Sequence, residues 1–388
     1  MRILQIFNRY LQFGGEESSV YQIGDALQSL HEVEYFLTST ESWITRRNGN
    51  RLAMLLDSFH NQYVLNRLRR YQTLGKFDIW QIHNVLPAMS SAVYAEAFRQ
   101  GIPIVHYLHN YRLSCVNGFF LNHGEPCMRC IQGNFFPAFQ TACWRDSRWQ
   151  SGAMGAVLMQ MRSLQVFQKV ARWVAISQRQ KEIHVQMGLP EERIHVIPHF
   201  LECHVPPLPP SKEPVILFVG RLSVEKGVFH LLNAWARLKT KSAQLLIVGD
   251  GPERPALEAQ AAKLSLHGVS FRGFLSPEQQ TELWRRAVAS VVPSIWEETF
   301  GKVVLEAWGR GRPVIGHRIG ALPELIEPGV TGLLAATGDA GALAGAMDQL
   351  LANPASSAEM GRQGHAMLLE KFSRERWLSQ IRKIYETL

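Results

Sequence analysis

A chain of 388 residues, 46% hydrophobic and 19% charged, exceeds what one hydrophobic core usually organises, so two domains are expected. No apolar run reaches the roughly 18 to 20 residues that cross a bilayer, and Met1–Phe7 has neither the length nor the cleavage site of a signal peptide; the expectation is a cytoplasmic protein. The net charge of +8 comes with no helix-turn-helix pattern, zinc-finger spacing or aromatic RNA-binding signature, which argues against nucleic acid as a partner.

Short β-branched runs alternate with helical patterns, as in parallel sheets covered by helices on both faces, so the fold class is α/β. The first series of strands reads Ile3–Phe7, Val33–Leu37, Ile79–His83, Ile102–His109, Trp173–Ile176 and His195–Pro198, with helices beginning near Ser18, Ser90, Ala153 and Gln178. Between the second and third strands, Arg46, Arg47, Arg51, Arg67, Arg69, Arg70 and Lys76 are interleaved with Trp43, Leu55, Leu56 and Tyr63. Such a patch suits an anionic membrane surface, and a protein peripheral to the membrane; a solvated helix face is the plainer reading. The apolar stretch Met154–Met159 reads either as a second docking element or as core.

The proline-rich segment from Cys203 cannot extend a central strand or a helix interior, and it sets the boundary. The expected organisation is an N-terminal domain over residues 1–203 with an insertion at 110–146, and a linker at 204–213. A C-terminal domain over 214–372 and a helix over 373–388 that crosses back to brace the first domain follow. The second series of strands reads Val215–Val219, Leu245–Val248, Val269–Phe271, Ser290–Val292 and Val314–Ile315. Two such Rossmann-like domains facing across a cleft would bind ligands at the carboxyl ends of their strands.

The densest chemical signal is Glu298-Thr299-Phe300-Gly301-Lys302, leading into a helix that carries Glu306. A carboxylate, then a glycine admitting close backbone approach, then a helix N-terminus with unpaired N–H groups make a seat for a diphosphate. Glu306, about a turn and a half inside, can accept hydrogen bonds from vicinal ribose hydroxyls. Alone, Lys302, Glu306 and Arg310 at i, i+4 would be a salt-bridging stripe worth a few tenths of a kcal/mol. The apolar remainder of the helix, Val303 to Trp308, argues instead that it is buried and that its polar edge faces something specific. A second signal, Gly220-Arg221 with Lys226-Gly227, places two cations at a strand's carboxyl end, where they can neutralise a departing diphosphate.

These motifs, together with Ile247-Val248-Gly249-Asp250-Gly251-Pro252, Phe271-Arg272-Gly273, Pro293-Ser294, Gly311-Arg312-Pro313 and Leu322-Pro323-Glu324, resemble the retaining glycosyltransferases of family 4, which adopt the GT-B fold. The resemblance covers nearly the whole chain and is strongest from Val215 to Leu334. It implies that Arg221 and Lys226 hold the diphosphate of a nucleotide-sugar donor, that Glu306 holds the ribose, and that Glu298 positions the transferred sugar. Thr299 and the backbone of Phe300, Gly301 and Lys302 would cradle phosphate and sugar, Arg272, Gly273 and Phe274 would border the base, and Gly220 forms the turn before Arg221. In the first half, Gly14-Gly15 matches a flexible loop near donor and acceptor, and His109 a histidine beside the donor sugar; His83-Asn84 is a second-rank acceptor-side candidate. The implied reaction transfers a hexose-type sugar to a glycan or lipid-linked acceptor in polysaccharide or glycolipid assembly, with retention and with no metal or cofactor required for catalysis. A sugar-nucleotide epimerase or phosphorylase of the same architecture and a non-catalytic sugar-nucleotide scaffold are the rivals. A dehydrogenase is disfavoured by the lack of Gly-x-Gly-x-x-Gly after the first strand.

Two segments depart from the family pattern: Pro198-His199-Phe200 where Pro-Asn-Gly is common, and Gly320-Ala321 where a glycine pair is common. Cys115, Cys127, Cys130 and Cys143 read C-x11-C-x2-C-x12-C within the 110–146 insertion. Four thiolates with one C-x2-C unit suit structural zinc, although a ribbon would show two such units; buried reduced thiols and disulfides are the alternatives.

Overall fold

In the computed structural model every residue is described except Gln12, Phe13, His204, Val205, Pro210 and Lys212, so part of the expected 204–213 linker lies outside the described residues. The chain divides into two compact units. The first comprises Met1–Asn122, Cys127–Pro198 and Leu378–Leu388, and the second His123–Pro126 and His199–Trp377. Among the described residues no helix is long and apolar enough to cross a membrane.

The first unit is built on a six-stranded parallel sheet from β1 (Arg2–Arg9), β2 (Glu32–Ser39), β3 (Ile79–Asn84), β4 (Ile104–Tyr107), β7 (Arg172–Ala175) and β8 (Ile194–Val196), in the order β2-β1-β3-β4-β7-β8. Two-residue strands β5 (Leu121–Asn122) and β6 (Glu125–Pro126) fall between β4 and β7 in sequence. Ile3, Leu4, Ile6 and Phe7 of β1 are fully buried, the near-continuous apolar run expected of a strand covered on both faces. The helix Gly15–Gln28 buries Val20, Ile23 and Leu27 at helical spacing against this sheet. β4 is shorter than the expected Ile102–His109: Pro103 has no N–H to contribute, and the chain leaves the ladder after Tyr107. β7 and β8 are likewise offset from Trp173–Ile176 and His195–Pro198, the latter ending before Pro198.

The second unit repeats the plan with β9 (Val215–Val219), β10 (Gln244–Val248), β11 (Val269–Gly273), β12 (Ala287–Val292), β13 (Val314–His317) and β14 (Gly332–Ala335), ordered β11-β10-β9-β12-β13-β14. All ladders in it are parallel. β14 has no counterpart in the sequence reading, since Gly332-Leu333-Leu334-Ala335 is short and lacks β-branched residues. Helix Lys302–Gly309 buries Val304, Leu305, Ala307 and Trp308, as its composition requires. The helix Arg374–Tyr385 buries Trp377, Ile381, Ile384 and Tyr385. Within the first unit Tyr385 donates to Gln81 Oε1, and Arg172 donates to the Thr387 carbonyl at 2.9 Å.

Candidate functional site

In open α/β sheets, ligands bind beyond the carboxyl ends of the strands where the strand order reverses. In the second unit that point lies between β9 and β12, and the loops leaving these two strands carry Arg221 and Lys226 on one side and Glu298 on the other. Lys226 Nζ stands 2.9 Å from Glu298 Oε2 and 3.3 Å from Oε1, and Oε2 also accepts from Ser294 Oγ and Trp296 Nε1, each at 2.9 Å. The Lys226 ammonium lies 5.4 Å from the centre of the Trp296 ring. A carboxyl group only 6% exposed needs hydrogen-bond and ion-pair partners, and these donors provide them.

Arg221 is not an open cation either. Its Nη2 lies 2.7 Å from Glu225 Oε1, and Ser223 Oγ donates to the same oxygen at 2.6 Å. Burial opposes ionisation of Glu225, but the Arg221 charge and the Ser223 hydroxyl outweigh it and hold the carboxyl below its ordinary range. Ile295 N–H donates to the Glu225 carbonyl at 3.0 Å, which joins the two loops. Both cations that sequence reasoning aimed at a diphosphate are thus ion-paired, because each neighbours a buried carboxylate. A ligand anion must share or displace Glu225 and Glu298.

Glycine geometry brings these loops close. Gly249 has φ +133°, and a Cβ there would fall 1.8 Å from the Gly220 carbonyl oxygen; at Gly227 (φ +68°) it would fall 1.9 Å from that of Pro293. Gly301 (φ +99°) opens the Lys302–Gly309 helix with no side-chain cap, leaving the helix N-terminus to backbone N–H groups. On this helix Glu306 is half-buried, and burial pushes its carboxyl up against the opposing pull of Lys302 and Arg310. Lys302 is shifted down by burial, with Glu306 opposing. Thr299 and Phe300 are buried, and the Phe300 ring packs edge-on against His199 and Phe372; its side chain is core, so only its backbone can face a ligand. At the end of β11, Arg272 is exposed, Gly273 accepts from Gly249 N–H at 2.8 Å, and Phe274 presents its ring to solvent at 77% exposure. Gly320, in one of the departing segments, has φ +56°, and a Cβ on it would fall 2.3 Å from Glu298 N; Ala321 N–H donates to Glu298 O at 2.8 Å. That departure therefore touches the Glu298 loop directly.

In the first unit the order reverses between β1 and β3. Here His83 Nδ1 and His109 Nε2 are 2.8 Å apart, and His83 Nε2 meets Gln5 Oε1. Tyr107 stacks on both imidazoles. His109 is 9% exposed and lines a cavity of about 20 Å³ with His83, Asn84, His106 and Arg112. Sequence reasoning missed its acidic neighbour. Glu16 Oε2 accepts from Asn110 Nδ2 at 3.0 Å and from Tyr10 OH at 3.3 Å, and Asn84 Nδ2 donates to Tyr10 OH at 3.0 Å. Burial pushes the Glu16 carboxyl up to about 7, against Arg112, Asn110 and Tyr10, which pull it down. The adjacency of Glu16 to Gly14-Gly15 was the available signal. Gly15 itself begins the Gly15–Gln28 helix with open space around its Cα.

The basic patch is partly neutralised: Arg46 and Arg47 pair with Asp57, and Arg69 with Glu96 at 2.9 Å. Met154, Val157 and Leu158 are core and Met159 is exposed, so the Met154–Met159 stretch is chiefly structural. The four insertion cysteines are free thiols, and all four line one cavity. Among the described residues no three His, Cys, Asp or Glu side chains are already gathered as a metal-ligand set.

Comparison with known proteins gives these features a context. The family model of glycosyl transferases group 1 matches residues 202–367, and that of Glycosyltransferase Family 4 matches residues 13–204. The chain is similar to an alpha-D-kanosaminyltransferase of Streptomyces kanamyceticus, at 32% identity over 178 residues, 45% of this chain and 46% of that protein. It is similar also to the lipopolysaccharide core biosynthesis glycosyltransferase LpsE of Rhizobium meliloti, at 34% over 167 residues, 43% and 48% of the two chains. The matched region thus spans about half the length of these curated relatives. Among solved structures, Anabaena Alr3699/HepE in complex with UDP-glucose is similar in fold, with a TM-score of 0.74 over 100% of both chains at 20% identity. With both halves matched in sequence and each half built on its own doubly wound parallel sheet, the chain belongs to glycosyltransferase family 4, the group 1 glycosyltransferases of GT-B fold.

Proposed function

We propose that this glycosyltransferase moves a hexose-type sugar, with retention of configuration, from a nucleoside diphosphate sugar bound by the second unit to a glycan or lipid-linked acceptor bound by the first. The observation that carries the reading is the meeting of Lys226 and Glu298 at the β9/β12 reversal. An arriving diphosphate is a better partner for Lys226 and Arg221 than a single carboxylate. As it takes their donors, Glu298 is freed to accept from the sugar's hydroxyls while Ser294 and Trp296 keep it in place.

The anomeric carbon to phosphate-oxygen bond breaks first, and the charge building on the β-phosphate is met by Arg221, Lys226 and the N-terminal N–H groups of the Lys302–Gly309 helix. The acceptor oxygen then bonds the anomeric carbon on the face the phosphate leaves, and its proton passes to the departing phosphate oxygen. The protein cations supply the countercharge, so a divalent metal is dispensable for this step. Glu306, short of solvation, gains from two ribose hydroxyl donors. Arg272, Gly273 and Phe274 border the base, Phe274 by stacking. In the first unit His109, oriented by His83, serves the transferred sugar. Gly15, at the start of the helix after β1, leaves room for a ligand to approach.

A thermal-shift and slow-hydrolysis screen against UDP-, GDP-, ADP- and TDP-sugars, with and without EDTA, tests the reading. Selective stabilisation by one nucleotide and its EDTA-resistant release are expected. Binding without turnover when acceptor glycans are added would favour a scaffold. Interconversion of the sugar without transfer would favour an epimerase.

A further inference from the structure

The segment that follows His109 contains little regular structure: two-residue strands and the five-residue helix Phe136–Gln140 are all that interrupt its loops before Arg148. Yet it is held in a defined shape, and the four cysteines lie at the centre of it. Cys115 comes from one stretch, Cys127 and Cys130 from a second and Cys143 from a third, and the four line a single cavity of about 20 Å³. A small cavity lined by four thiols suits a single metal ion.

The three stretches are fixed from outside by one helix, Arg148–Ser163. Arg162 donates to Ser114 Oγ at 2.8 Å and to the Ile131 carbonyl at 3.5 Å, gripping the neighbours of Cys115 and Cys130. Ser151 Oγ accepts from the backbone N–H of Trp144, next to Cys143, at 3.0 Å. Donors are also aimed at the sulfurs themselves: Phe120 N–H at Cys115 Sγ and Arg129 Nε–H at Cys127 Sγ, both at 3.4 Å. N–H donors to sulfur stabilise thiolate character, and a guanidinium at the rim offsets the double negative charge of a cation held by four thiolates.

We propose that Cys115, Cys127, Cys130 and Cys143 bind one Zn²⁺ in a tetrahedral all-thiolate site that staples the segment after His109. Binding converts four thiols and one Zn²⁺ into a tetrathiolate complex and releases four protons, with no oxidant or reductant. Tetrahedral coordination at about 2.3 Å requires the sulfurs to converge, and in the structure no three of them are gathered as a ligand set. The four thiols already line one cavity from three stretches of chain, and a divalent cation draws the sulfurs the remaining distance. The site anchors the chain immediately beyond Asn110, whose side chain holds Glu16, so it braces the surroundings of His109 without taking part in sugar transfer.

The test is metal content of the full chain, expressed with zinc, purified under reductant and dialysed against metal-free buffer, read by elemental analysis with a thiol count in denaturant. The expected result is about one zinc per chain, resistant to dialysis and released when an organomercurial titrates the thiols. Cys130→Ser and Cys143→Ser should each lower the content at least about fivefold, while Cys203→Ser leaves it unchanged. If a cysteine variant does not fold, the wild-type measurement still decides. Zinc well below about 0.1 per chain, a thiol count short by four from two disulfides, or iron in place of zinc would each overturn the proposal.

Discussion

At the scale of single residues, the paired charges at the β9/β12 reversal set the expected responses to mutation. Lys226→Ala removes the cation facing the Glu298 carboxylate, which Ser294 and Trp296 still hold. Transfer should fall about 100-fold or more with the fold retained, as when an electrostatic stabiliser of a transition state is removed; initial rates beside a circular dichroism melt would check both halves of that statement. Phe274→Ala removes an exposed ring, and should weaken nucleotide binding about tenfold in calorimetry with little change in kcat. Glu16 gives a pH-dependent expectation. A carboxyl whose folded-state value is raised contributes its stability in full below about 4.5 and loses it as pH rises through about 7. Glu16→Gln should therefore raise the melting temperature by roughly 2 to 4 °C at pH 8 and leave it nearly unchanged at pH 5. Destabilisation at pH 8 would mean that Glu16 is ionised and held by Arg112. Glu298 and Lys226 were legible from their motifs, but their direct contact was not: the two are far apart in sequence, and only strand order brings them together. Trp296 and Tyr10 were missed because a lone aromatic in a loop carries no pattern.

At the scale of elements, the loops leaving the strands matter more than the strands themselves. Gly320→Ala would force a Cβ against the Glu298 backbone from a left-handed conformation, so it should lower kcat more than it lowers unfolding free energy. Equal losses in both would indicate a purely structural glycine. Arg312 illustrates the converse. It is 2% exposed and donates to the carbonyls of Trp284, Leu208, Pro209 and Arg285, so the Gly311-Arg312-Pro313 motif is chiefly a cap for buried backbone. Arg312→Ala leaves those carbonyls without partners and should cost about 3 kcal/mol in a urea titration, without altering nucleotide affinity in the folded protein. Strand existence was legible wherever β-branched residues cluster, as in Val215–Val219. Ends were less so, because Pro103 and Pro198 cut ladders that hydropathy alone would continue, and β14 escaped notice because Gly332–Ala335 has neither length nor β-branched content.

For the molecule as a whole, two doubly wound sheets explain why family motifs crowd into the second half. On the proposed function, donor chemistry depends on backbone approach and fixed charges at one strand-order reversal, which only a few residue types satisfy. The first half carries its counterpart at the β1/β3 reversal, but through a buried cluster of His83, His109 and Gln5 that is assembled from distant positions and so left only His109 and His83 readable in advance. The basic patch shows the limit of composition most plainly: Asp57 and Glu96, themselves unremarked in the sequence, absorb three of its arginines.

The central claim is that Lys226 and Glu298 convert a bound nucleoside diphosphate sugar into a leaving group and a positioned sugar. Its most direct test is single-turnover release of nucleoside diphosphate from the donor selected by the binding screen, in EDTA, comparing wild type with Lys226→Ala and Glu298→Gln. The account predicts rapid release by the wild type and a loss of at least about 100-fold in both variants, each still folded. Near-native release by both folded variants would contradict it.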